Sequence, residues 1–258
     1  MTAVRGNDDL FDKQTGQDMD RAQEQDNHIV LQTNQPGDPF AGVSAKALKF
    51  LPLYILVPLL YWAFFKMMGY DMNWKGFGLG ALGWFIALFL RGPLSLLVQK
   101  WPQERAKKVI VSSSGVLEES VRLGLLTLTA VSFPWAVSLG QGWAAIEVLF
   151  VIINIIVIVS MIKRTDEKAV QAKELLLAQG NLQASPLWGI LERIWASAFH
   201  IGAALVIAHH FWLVLIMIPL HSGLNLAAVR MAKTSVFRGS LLVAAVGLIT
   251  LVSGILLF

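Results

Sequence analysis

From residue 48 onward, apolar runs long enough to cross a bilayer alternate with short polar stretches. About 20 apolar residues span the hydrocarbon core as a helix. None of these runs shows the strict two-residue alternation of a barrel strand. The pattern predicts seven spans: Leu48–Met68, Phe77–Val98, Ser113–Leu128, Gly142–Ile162, Pro186–Ala208, Phe211–Met231 and Phe237–Leu257. Arg91-Gly92-Pro93 predicts an interruption of the second span, and Ser132-Phe133-Pro134 a break before the fourth, because Pro cannot continue a helix. Ala169–Ala178 predicts a short amphipathic segment at the membrane surface. Residues 1–45 are rich in Asp, Gln and Asn and are expected to form a disordered polar tail. The expected fold is therefore all-α: a polytopic integral membrane helical bundle over residues 46–258.

Composition sharpens that reading. The chain is 55% hydrophobic and only 15% charged, with a mean hydropathy of +0.60, whereas a soluble domain carries roughly 25% charge. The net charge of +4 comes from loops. Lys100, Lys107, Lys163, Lys168, Arg230 and Arg238 fall on one face of the predicted topology. That asymmetry predicts a cytoplasmic N-terminus, an outside C-terminus and residence in a bacterial inner (plasma) membrane. Attraction of these loops to anionic lipid accounts for the charge without nucleic acid as a partner. There is no cysteine, which excludes disulfides and thiolate zinc sites. Any metal must be held by His, Asp, Glu or Asn.

Ionisable side chains inside spans are costly and mark functional candidates. Glu118, Glu119 and Arg122 share one helix face at spacings of three and four. One carboxylate is expected to pair with the Arg while the other stays free as a general base. Glu192-Arg193 precedes His200 on the fifth span, with Arg193 and His200 nearly eclipsed. His221 and Asn225 are one turn apart on the sixth and can hold a metal, a water or an oxyanion. Gly223 beside them is expected to admit a close neighbour. Gly140-Gln141-Gly142 with Glu147 forms the weakest cluster. Each group also has a structural use, as an ion-pair cap or an interhelical hydrogen bond.

Depth suggests which groups can meet. At about 1.5 Å per residue, Glu118 and Glu119 lie about 9 Å in from the basic side, with Glu192 and Asn225 at similar depth. His221 lies about 15 Å in and His200 about 20 Å in, while Glu147 falls towards the opposite face. The expected site lies between the third, fifth and sixth spans. His209-His210, at the outer turn, has no expected catalytic role.

The ordered set Glu118-Glu119-Ser120-Val121-Arg122, then Phe199-His200, then His221-Ser222-Gly223-Leu224-Asn225 resembles the CAAX-protease and bacteriocin-processing (CPBP) superfamily of intramembrane proteases. Leu191-Glu192-Arg193 leading to Phe199-His200 further resembles YhfC-type membrane peptidases. The resemblance covers a motif-bearing core of about residues 110–230. It implies an intramembrane endopeptidase acting on a membrane-embedded or lipid-modified peptide. Glu118 would activate water, with Glu119 and Arg122 setting its electrostatics. His200, His221 and Asn225 would orient that water, stabilise the oxyanion or bind a metal, zinc being the candidate cofactor. Glu192, Arg193 and Glu147 would support the site. The chain departs from the Gly-His-Gly-Gly motif of YhfC-type proteins, since Gln141 stands where the His is expected. It also lacks the FxxxH pattern of the CAAX branch. An inactive relative acting as a membrane binding partner, or a small transporter, is the alternative reading.

Overall fold

A computed structural model describes residues 40, 42–129, 131–178 and 184–258. The polar tail expected at the N-terminus lies, up to residue 39, outside the described residues. Among the described residues eight α-helices follow one another: α1 (Val43–Met67), α2 (Trp74–Val98), α3 (Gln103–Thr127), α4 (Phe133–Ile162), α5 (Glu167–Ala178), α6 (Pro186–His209), α7 (Val214–Ala232) and α8 (Val236–Leu257). A single 3-10 turn, Phe211–Leu213, precedes α7. Among the described residues there is no strand. The protein is a polytopic helical membrane bundle.

Among the described residues six helices are long and apolar enough to cross a membrane: α1, α2, α4, α6, α8, and α7 with its leading turn. The seventh expected span lies within α3, which matches them in length but not in apolarity. Its charged side chains Glu118, Glu119 and Arg122 are all buried against neighbouring helices. Apolar side chains such as Ile55, Phe89 and Ile249 point outward instead, as lipid-facing surfaces require. Helix starts are capped locally, with Asn73 accepting from the Gly76 amide at 3.0 Å and Ser235 accepting from the Arg238 amide at 3.3 Å.

One proline expectation is corrected and one refined. α2 runs unbroken through Arg91-Gly92-Pro93, because membrane helices tolerate an interior Pro when neighbours re-satisfy the backbone. The break before the fourth span is there, α3 ending at Thr127 and α4 beginning at Phe133, but Pro134 falls in the first turn of α4 rather than in the break. The first helical turn has no intrahelical use for the missing N–H, so Pro fits there. α4 therefore starts nine residues earlier than the predicted Gly142.

α6 is the hub. In its apolar window 67% of residues are buried, against 11–33% in the other spans. It packs most extensively on α8 and α4, while α3 packs on α7 and α2. Polar groups carried by α6 thus have protein rather than lipid on most sides.

Candidate metal centre

Close helix crossings set the site. A Cβ on Gly115 of α3 would come within 2.7 Å of the Ser222 backbone nitrogen on α7. Only glycine lets these two backbones approach so closely. One turn further along α3, the approach brings the fully buried Glu119 to His221, with Glu119 Oε1 2.6 Å from His221 Nδ1. A Cβ on Gly140 of α4 would lie 2.6 Å from the Ile201 Cα on α6. Two turns further along α4, Glu147 Oε2 lies 2.6 Å from His200 Nε2. Gly223, the expected point of close approach, has nothing near its missing Cβ. It faces outward, and Gly115 across the interface takes that role.

Arg122 joins the two pairs. It is fully buried, bonds the second oxygen of Glu119, and donates to His200 Nδ1 at 2.9 Å. Its guanidinium lies 4.4 Å from the centre of the Trp143 ring, a cation–π contact. A guanidinium can only donate, so His200 Nδ1 accepts and Nε2 carries the proton that goes to Glu147. By the same logic, the Glu119 carboxylate accepts from His221 Nδ1–H, leaving the His221 Nε2 lone pair free.

Glu118 departs from expectation. It is not a free carboxylate beside an Arg122–Glu119 pair. Arg91 of α2 bonds one oxygen, and Trp143 Nε1 donates to the other at 3.1 Å. Neither partner follows from the local pattern: Arg91 was read as part of a helix break, and Trp143 falls inside the apolar run of the fourth span without a reading of its own. Glu147 is also placed differently. Counting from Phe133, it sits about 21 Å into α4, near mid-membrane, rather than near the outer face. Its other oxygen accepts from Arg193 at 2.6 Å, and Arg193 also donates to Glu192 at 2.7 Å.

Glu192 itself is half exposed, at the edge of the cluster. Asn225 donates to Ser114 Oγ at 2.7 Å, one helical turn from the histidines towards the α7–α8 loop. Gln141 donates to the Tyr61 carbonyl at 3.1 Å, so its departure from the motif removes no group from the site. His209 ends α6 and His210 follows it, their rings 4.4 Å apart and away from the cluster.

Glu118, Glu147, His200, His221 and Asn225 all line one cavity of about 490 Å³. Within it, one ligand atom each from the buried Glu118, His200 and His221 lie within 4.8 Å of one another. Two imidazoles and a carboxylate, with a further position open, form the donor set of a catalytic zinc. Glu119 stands behind His221, where a carboxylate can orient an imidazole that ligates a metal. The residues present therefore fit a metal ion.

The sequence profile of the YhfC intramembrane metalloprotease family matches residues 53–246, three quarters of the chain. The chain belongs to that family. The match extends beyond the 110–230 core read from motifs, reaching α1, α2 and α8. In this YhfC-family chain α2 supplies Arg91 and α8 braces α6. No curated protein and no solved structure matches the chain.

Proposed function

We propose that the protein is an intramembrane endopeptidase that hydrolyses a peptide bond in a membrane-embedded or lipid-modified peptide. The convergence of Glu118, His200 and His221 on one buried cavity carries this reading. These three residues would hold the metal, with zinc the ion best suited to them. When bound, the metal supplies Lewis-acid polarisation and a more acidic water.

The chain's own groups do the rest. Glu119 fixes the His221 ring with Nε2 towards the cavity. Arg122 holds Glu119 and His200 in one plane of contacts against Trp143. His200, were its Nε2 to serve as a ligand, would give up the proton there and with it that ring's bond to Glu147. Arg193 keeps the other Glu147 oxygen in place. Glu147 then takes the proton of the attacking water and hands it to the leaving amine. Asn225, with Ser114, offers polar wall for a substrate backbone. The reading assigns Glu118 to the metal rather than to proton transfer.

The order of these residues along the chain supports kinship with the wider CPBP superfamily. The basic loops support a plasma-membrane setting with the N-terminus cytoplasmic and the C-terminus outside. The experiment is metal analysis of purified protein together with mass spectrometry of membranes with and without it. Zinc near one equivalent and new peptide termini support the reading. Termini that survive a His200→Ala/His221→Ala double substitution overturn it, and so does a protein that binds no metal and generates no termini.

A further inference from the structure

Arg91 has no role in the scheme above, yet it bonds Glu118, a member of the metal group. It sits on α2, lines the cavity and bonds Glu118 through one arm of its guanidinium. Its side chain is 27% exposed. Its Nε is buried and, among the described residues, has no hydrogen-bond partner. Native proteins seldom leave a buried donor unpaired without a use for it. Arg91 also holds the carboxylate that a metal would claim. Both Glu118 oxygens already accept, from Arg91 and Trp143, and a metal on Glu118 would repel the guanidinium and draw charge from the carboxylate, so metal binding and the Arg91–Glu118 pair oppose each other. A guanidinium released at the cavity wall presents a planar fork of N–H donors to whatever anion forms there.

We propose that Arg91 is the oxyanion-binding residue of this site, held on Glu118 in the resting chain and released to the substrate's carbonyl oxygen. As the water oxygen bonds to the carbonyl carbon, the C=O π pair moves onto oxygen. The Arg91 donors meet the charge at that atom. Glu147 carries the water proton to the amide nitrogen. The C–N bond then breaks with its electron pair on nitrogen, the carbonyl reforms, and Arg91 loses its anion. A donor used only where charge develops lowers the barrier without tightening substrate binding. The inference rests on the metallopeptidase reading and adds a competition that the reading does not require.

The test uses the full chain in detergent, with zinc alone and then N-phosphoryl-leucinamide as a tetrahedral oxyanion probe. Removing a positive charge beside the metal and freeing its carboxylate should make R91Q bind zinc about tenfold more tightly than wild type. R91K, which keeps the charge, should stay within about twofold of wild type in zinc affinity. Zinc-loaded R91Q and R91K should each bind the phosphoryl probe at least about tenfold more weakly, having lost the fork. An R91Q zinc affinity equal to or weaker than wild type overturns the inference, because a purely structural Arg91 gives that result. So does R91K that keeps wild-type affinity for the probe, or a zinc-loaded wild type that does not bind it. If R91Q does not fold, R91K with the probe decides alone. A wild type that binds no zinc overturns the metallopeptidase reading as well, whereas zinc binding with unchanged R91Q affinity overturns only the role of Arg91.

Discussion

The α3–α7 and α4–α6 interfaces are built alike and finish differently. Each has a glycine that draws two backbones together, Gly115 in one and Gly140 in the other. Each then places a glutamate against a histidine at 2.6 Å. On the α3–α7 side Glu119 is fully buried, with Arg122 closing its second oxygen. On the α4–α6 side Glu147 keeps 21% of its side chain exposed and lines the cavity. In the proposed scheme the same His–Glu contact serves two purposes: the sealed one would orient a metal ligand, and the open one would exchange a proton with what enters. Burying a charge without its partner is costly, so Glu119 meets both His221 and Arg122, while Glu147 keeps an edge open to the cavity.

Substitutions that treat the two sides separately test this contrast. The largest effect is expected from His200→Ala/His221→Ala, which takes a ligand from each side. Zinc content should fall to background and new peptide termini should disappear, read by metal analysis and mass spectrometry. Glu147→Gln should be next. Zinc is retained, while cleavage falls by about 10²–10⁴-fold, the usual share of a general base. Glu118→Gln should behave oppositely, losing zinc affinity first. If it keeps zinc and loses cleavage, Glu118 and Glu147 exchange roles. Glu119→Gln should cost about 10–100-fold in zinc affinity, with cleavage recovering as zinc is raised, because it acts through His221. Gly115→Val should have the smallest chemical effect. It forces α3 from α7 and should cost about 1–3 kcal/mol in a denaturation midpoint, with loosened metal binding only as a consequence.

Much of this arrangement could be read from the chain before any coordinates. Length and apolarity located the membrane helices. The spacing of Glu118, Glu119 and Arg122 put them on one face, and the ordered motif paired them with His200 and His221. Glu147 was misplaced for a specific reason: its depth was counted from Gly142, because Pro134 was taken as a break rather than a first-turn residue. Arg91 and Trp143 were missed because their meaning is tertiary. Each is an ordinary residue on its own helix and becomes part of the site only by meeting Glu118 from α3. No local period encodes that contact. Gly115 went unremarked for the same reason, since a small residue shows its use only against the backbone it admits.

The burial of α6 bears on how the chain is made. This helix carries Glu192, Arg193 and His200, and its broadest support is α8, which is synthesised roughly 30 residues after α6 ends. Until α8 emerges from the ribosome, α6 lacks the wall against which it packs, and His200 lacks a fixed address. His221 arrives on α7 in the interval. Helix α8 therefore acts as a latch on assembly: a partly translated chain has its glutamates in place, but the Glu118–His200–His221 cluster is braced only once synthesis has passed the point at which α8 can close on α6.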